Sequence, residues 1–273
     1  MSVYVRTCPS AEKFNTGGSY CPIDPSKVKA LILATKDLAI PFSATAESIK
    51  EMCHADRPNR IYPIKGIVEY APSGGEAQTE TQGYGGMKII GYSAKDDVFT
   101  LVEYDMEIVK NITRVKNATM YVFYVDADNQ IHGIAKDDNE SIYGVPAKVY
   151  VGDQSFDTSS TNANTTLHIA LEDVEKFMLN RTAFKPEFDV VDNLIGLLNV
   201  RFVLLENNKY KLVDSSNTDI TAVYKDLTTN ALASATSSFE YESQDEVFTA
   251  GTMPTLKTPS ELYELGIIGI EQL

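Results

Sequence analysis

The apolar positions of this chain alternate far more often than they recur at helical spacing, and this predicts a protein built mainly of β-strands. From Val98 to Ile108, "VFTLVEYDMEI", Val98, Val102, Tyr104, Met106 and Ile108 fall on one face and Glu103, Asp105 and Glu107 on the other. That pattern predicts one strand with a wet side, about 35 Å long at ~3.4 Å per residue. "MYVFYV" (Met120 to Val125) is apolar on both faces and predicts a strand covered on each. "DADNQIHG" then supplies the Asp and Asn that a tight turn tolerates, so Met120 to Asp126 and Gln130 to Lys136 should form a hairpin. Further strands are expected at "VKALILA", from Ile61 to Tyr70, from Met87 to Tyr92 and across "GVPAKVYVGD", Gly144 to Asp153.

Helical spacing is confined to three places. Behind Ser43 or Thr45 as N-cap, Ile49, Met52 and Cys53 fall at i, i+3 and i+4, and this helix should stop before Arg57-Pro58. "LHIALEDVEKFMLN" (Leu167 to Asn180) sets Leu167, Leu171, Val174, Phe177 and Met178 along one stripe, opposite Glu172, Glu175 and Lys176, as in an amphipathic helix lying on a sheet. Near the end, Thr258, Pro259, Glu261 and Gly266 supply a cap, a first-turn proline, a capping box and a stop. Between these, "SFDTSSTNANTT" (Ser155 to Thr166) is small, polar and rich in breakers, which predicts a flexible junction. "LLNVRFVLLENNKYKLVD" predicts two strands around Asn207-Asn208, and "DITAVYKD" a third. The expected architecture is mainly β, a β-sandwich or half-barrel with one or two flanking helices. A main β domain would cover 1–154, a junction 155–166, and a helix with a small C-terminal β unit 167–273.

The longest interruption is "APSGGEAQTETQGYGG", residues 71–86. A phosphate cradle needs glycine N–H groups at a helix start, usually with a lysine. Here the charged residues are Glu76 and Glu80, no lysine precedes Lys88, and a strand follows. Two readings stay open: a solvent loop, or an arm that orders against a neighbouring subunit. In the second, Ser73, Gly74, Gly75, Gly83, Tyr84 and Gly85 are the candidate contacts, the glycines permitting close approach and Tyr84 acting as an anchor.

Charge and chemistry narrow the choice. With 24 basic and 38 acidic residues the net charge is −14, a field that repels nucleic acid and anionic lipid. The densest basic stretch is "KNITRVKNA", Lys110 to Ala118. No apolar run approaches the roughly 20 residues of a membrane helix, and "MSVYVRTCPSAEKF" lacks the apolar core of a secretory signal. Three cysteines suit folding in a reducing cytoplasm, with pairing of Cys8 and Cys21 left open. Cys53-His54 reads as a buried thiol beside a surface imidazole, since a zinc site would need Cys8, Cys21, His132 and His168 to converge on it. Asp126 and Asp128 open no calcium loop: Ile131 stands where glycine is needed and Asp137 where glutamate is preferred. His54, His132 and His168 stand beside no plausible nucleophile, and Asp96-Asp97 and Asp137-Asp138 read as solvated turn pairs. Catalytic residues, metal and cofactors are therefore all expected to be absent.

The order "VKALILA", short helix, "RIYPIKGIVEY", polar loop ending "GYGG", acidic strand and "YVFYVDADNQIHG" hairpin resembles structural proteins in the virions of tailed bacteriophages, especially crAss-like phages of Bacteroidetes hosts. The likeness covers roughly residues 25–150 and is closest to a tail-tube or ring protein. It implies a non-enzymatic subunit, made in the host cytoplasm, that closes with copies of itself into a ring while a long loop reaches the next ring. Its partners would be further copies and other virion proteins. Alternatives are a capsid-decorating or head-to-tail connector protein, or a β-rich binding module displayed on a surface. A ring of subunits at −14 each would present an acidic lumen along which DNA finds no counter-charge.

Overall fold

The computed structural model describes residues 25–272 apart from 82, 103–105, 137–139, 160–162 and 234–237, and leaves out the side chain of Asp153. Cys8, Cys21, Glu103, Tyr104, Asp105, Asp137 and Asp138 lie outside the described residues. The fold is mainly β with a few flanking helices. It divides into two compact units, residues 25–49 with 62–194 and residues 50–61 with 195–272.

The first unit opens with β1 (Val28–Ala34), β2 (Ala39–Pro41) and α1 (Ala46–His54). Thr45 starts α1, its Oγ1 accepting the Ser48 N–H at 3.2 Å and so satisfying one of the donors that a helix start leaves free. Next come β3 (Ile61–Ile64), β4 (Ile67–Gly74), β5 (Ala77–Thr81), β6 (Met87–Tyr92) and β7 (Lys95–Leu101), then α2 (Met106–Val115) and β8 (Thr119–Asp126). The unit continues with β9 (Ile131–Ala135), β10 (Ser141–Tyr143), β11 (Val145–Ser155), β12 (Asn164–Leu171), α3 (Val174–Asn180), β13 (Arg181–Phe184) and α4 (Val190–Asn193).

Hydrogen bonds link β2, β10, β9, β8, β11, β12, β7 and β4 in that order, while β1 pairs with both β8 and β3. Because β3 runs on into β4 across Lys65-Gly66, the strands β4, β7, β12, β11, β8, β1 and β3 follow one another round a closed ring. Alternate residues fill it: Leu31 and Leu33, Phe99 and Leu101, Met120, Val122 and Tyr124, Ala147 and Val149, Leu167 and Ile169. Closure leaves few open edges and accounts for the strength of the period-two signal. The expected hairpin is present as β8 and β9, turning at Asn129 with φ +64°. Asp126 fastens it, its carboxylate accepting the backbone N–H groups of Asp128 and Gln130 at 3.0 and 2.9 Å.

Four expectations are corrected. The strand from Val98 to Ile108 stops at Leu101, and Met106 starts α2, because Ile108, Ile112 and Val115 give that segment a helical apolar face with Ile112 buried. The helix from Leu167 to Asn180 begins only at Val174, capped by Asp173 accepting from the Lys176 N–H at 2.9 Å. Before it, Thr165, Leu167, Ile169 and Leu171 alternate as buried residues of β12, held between β11 and β7. Ser155 to Thr166 therefore joins two paired strands of one sheet, and the division between units falls after Leu194. "DITAVYKD" forms turns rather than a strand: Asp219 Oδ1 accepts the Thr221 N–H and hydroxyl at 3.0 and 2.6 Å, an Asx turn that competes with strand pairing.

The second unit is a five-stranded sheet ordered β16 (Glu240–Glu242), β17 (Val247–Thr249), β15 (Lys209–Asp214), β14 (Leu198–Leu204) and β18 (Ile270–Gln272), the last parallel to β14. Asn207 and Asn208, both at positive φ, make the expected turn. Phe202, Phe239 and Phe248 pack their rings at the centre. α5 (Pro259–Glu264) carries the expected capping box at Thr258 and Glu261. Cys53 is buried as expected, but His54 is buried too, which corrects the surface imidazole. Its Nε2 accepts the Gly269 N–H at 3.0 Å, its Nδ1 donates to the Lys50 carbonyl at 2.7 Å, and its ring stacks on Tyr263. Burial holds its pKa below the ordinary 6.5, with the Arg60 guanidinium adding to the effect against the Lys50 hydrogen bond.

Candidate functional site

Residues 71–86 do not form an open loop. β4 runs to Gly74 and β5 pairs with β6, with a turn at 83–85, so the strands from 67 to 101 make one long β-hairpin whose outer half is a two-stranded ribbon. The ladder crosses from the barrel without a break: Gly74 pairs with Lys95, the Gly75 N–H donates to Ala94 O at 3.3 Å, and the Ser93 N–H donates to Glu76 O at 2.8 Å. Gly74 has no substitute at this junction. Its φ is +74°, and an added Cβ would lie 1.8 Å from the Ala94 carbonyl oxygen.

The six candidate contact residues separate into two groups. Ser73, Gly74 and Gly75 form the root of the ribbon, and Gly83, Tyr84 and Gly85 its tip, where Tyr84 is fully exposed. What lies between was not singled out from the sequence. Thr81 pairs with Met87, Thr79 with Ile89 and Ala77 with Tyr92 on one face, while Glu80 with Lys88 and Gln78 with Gly91 occupy the other. Met87, Ile89 and Ile90 are 76%, 59% and 58% exposed, and because Ile90 follows Ile89 at the register shift, apolar side chains stand on both faces of the ribbon. Only its inner end, Gly91 and Tyr92, is partly buried, with Tyr92 against the main core, and a two-stranded ribbon so little covered is marginally stable in water.

The root is pinned by an acid. Asp97 is buried, corrected from a solvated turn, and its Oδ1 accepts from the Tyr70 hydroxyl at 2.8 Å and Lys95 Nζ at 2.7 Å. Its Oδ2 accepts from the Tyr124 hydroxyl at 3.1 Å. Burial, and after it the Asp97 charge, pushes the pKa of Tyr70 and of Tyr124 well above the ordinary 10. Asp96, also a strand residue, points to the outer face of the barrel. Its Oδ2 accepts from the Tyr150 hydroxyl at 2.8 Å and lies 2.7 Å from His168 Nδ1, and the two rings stack. Burial and that bond push Tyr150 up to about 12. An Asp–His pair can orient an imidazole for proton transfer, but here the carboxylate is shared with a tyrosine. The three residues come from β7, β11 and β12, and they tie neighbouring strands together.

Neither His132, held 2.8 Å from Asp126, nor Asp96 with Asp97 makes a metal centre. No group of three or more His, Cys, Asp or Glu side chains suited to a metal occurs among the described residues. None of the described helices is long and apolar enough to cross a membrane. Compared with known proteins, the chain matches no family model, no curated protein and no solved structure.

Proposed function

We propose that this protein is a non-enzymatic virion subunit that assembles with copies of itself into a ring or tube of a phage tail, using the ribbon 77–92 as its contact. The observation that carries this reading is the two-stranded ribbon, rooted at Gly74 and Asp97, with Met87, Ile89 and Ile90 exposed along it. A ribbon rooted in the sheet, with Tyr92 at its inner end packed against the core and the rest exposed, gains stability from a neighbour. The net charge of −14 supports a wall past which DNA moves without sticking.

The test is mass by light scattering over a concentration series, with negative-stain imaging of each species. Mass should rise with concentration and the images show rings or stacked tubes. A variant in which Asn-Gly replaces residues 77–92 should stay monomeric with its unfolding transition intact. A wild-type chain that remains monomeric throughout would sink the proposal.

A further inference from the structure

We propose, resting on the assembly reading above, that the surface a second copy covers runs from the ribbon onto α3, so that Met178 and Leu179 share one contact with Met87, Ile89 and Ile90. α3 lies beside β6, and Tyr92 at the ribbon's inner end packs on the same core as Phe177 of α3. Val174, Phe177 and Met178 stand at i, i+3 and i+4, on one side of the helix. Burial fades along that stripe: Val174 is buried, Phe177 half-buried and Met178 52% exposed, with Leu179 next to it at 77%. The apolar stripe of α3 therefore runs past the core and reaches the surface on a helix that adjoins the ribbon.

Area gives the reason for a second patch. An aliphatic side chain carries roughly 100 Å² of apolar surface, so Met87, Ile89 and Ile90 at their exposures offer about 200 Å² together. A specific interface takes ~800 Å² from each partner, a little over half of it apolar. Tyr84, fully exposed at the tip, adds ~150 Å² or more, which still leaves the ribbon short. Met178 and Leu179 supply about 130 Å² beyond that and bring the apolar surface to the size a lasting contact needs. Met87 and Met178 are also unbranched and pliable, which suits side chains that must settle against a copy of the chain.

The test is a brief peroxide pulse on the full-length chain, monomeric and assembled, with methionine sulfoxide read peptide by peptide in a mass spectrometer. Met87 and Met178 are both more than half exposed and oxidise readily in the monomer. Assembly should slow both by about fivefold or more, since a covered thioether is out of reach of peroxide. Alongside it, M178S/L179S should need concentrations about tenfold or more above wild type to assemble, with its unfolding curve unchanged. Two results would overturn the part given to α3: Met178 oxidising at its monomer rate in assemblies that protect Met87, or M178S/L179S assembling at the wild-type concentration. In either case protection of Met87 keeps the ribbon as the contact. Assemblies that protect neither methionine, or a wild type that never assembles, remove the ribbon and α3 together. Should M178S/L179S fail to fold, the pulse on the wild-type chain decides alone.

Discussion

The inner and outer halves of the hairpin 67–101 share one backbone ladder and have opposite surroundings. In the inner half, Phe99 and Leu101 face the barrel core, and Asp97 collects two tyrosine hydroxyls and a lysine. In the outer half, the pairing of β5 and β6 continues with every described residue from 76 to 90 exposed. Pairing alone does not decide whether a strand contributes to a fold. The inner half is stable because side chains from other strands enclose it, and the outer half has backbone bonds without that enclosure.

The sharpest way to break the inner half is Asp97→Ala. Removing the carboxylate leaves Lys95 and two buried hydroxyls without their acceptor, and the loss should be about 3–5 kcal/mol by urea unfolding. A loss below about 1 kcal/mol would mean that the root is not pinned by this acid. Alkali should act on the same cluster more gently. Tyr70 and Tyr124 keep their protons in the fold to a higher pH than in the unfolded chain, so stability is full below pH 10 and falls as pH rises beyond it. Above pH 10 Tyr124 contributes a slope approaching about 1.4 kcal/mol per pH unit, and Tyr124→Phe should remove that part while leaving Tyr70's, in unfolding curves taken from pH 10 to 12.

At the junction, Gly74→Ala should cost about 1–3 kcal/mol, since the Cβ meets the Ala94 carbonyl at a positive φ. Hydrogen exchange should quicken first in β5 and β6, and unchanged exchange there would show that the root does not order the ribbon. The smallest effect is expected in the outer half itself. Met87→Ser with Ile89→Ser should change monomer stability by no more than about 0.5 kcal/mol while weakening self-association in the light-scattering series. Destabilisation comparable to that of Asp97→Ala would make the ribbon part of the core and erase the contrast.

Features fixed by neighbours in sequence were legible from the chain alone: the Asp126–Asn129 turn, the Asn207-Asn208 turn, the capping box at Thr258 and the alternating core of the main sheet. Features decided by distant partners were not. Leu167, Leu171 and Val174 fit a helical stripe and Leu167, Ile169 and Leu171 fit a strand, and only the flanking β11 and β7 choose between them. Asp96 and Asp97 carry the local signature of a turn, while their partners Tyr70, Tyr124, Tyr150 and His168 come from four other strands. For the candidate site, the glycines and Tyr84 were visible as the breaks in an arm. The ribbon itself was hidden because "AQTET" has too little apolar character to announce a strand, so Met87 and Ile89 did not reveal themselves as exposed.

The ribbon also has a cost for the unassembled chain. Its outer backbone edges and its row of Thr79, Thr81, Met87 and Ile89 form a template on which any extended peptide could pair and aggregate. Glu80 and Lys88, set between those residues, act as gatekeepers that interrupt any uncharged run, and the register shift beside Gln78 and Thr79 twists the edge away from flat stacking. Under the proposed assembly, solubility and self-association draw on the same few side chains, and removing Glu80 or Lys88 should turn ordered growth into precipitation.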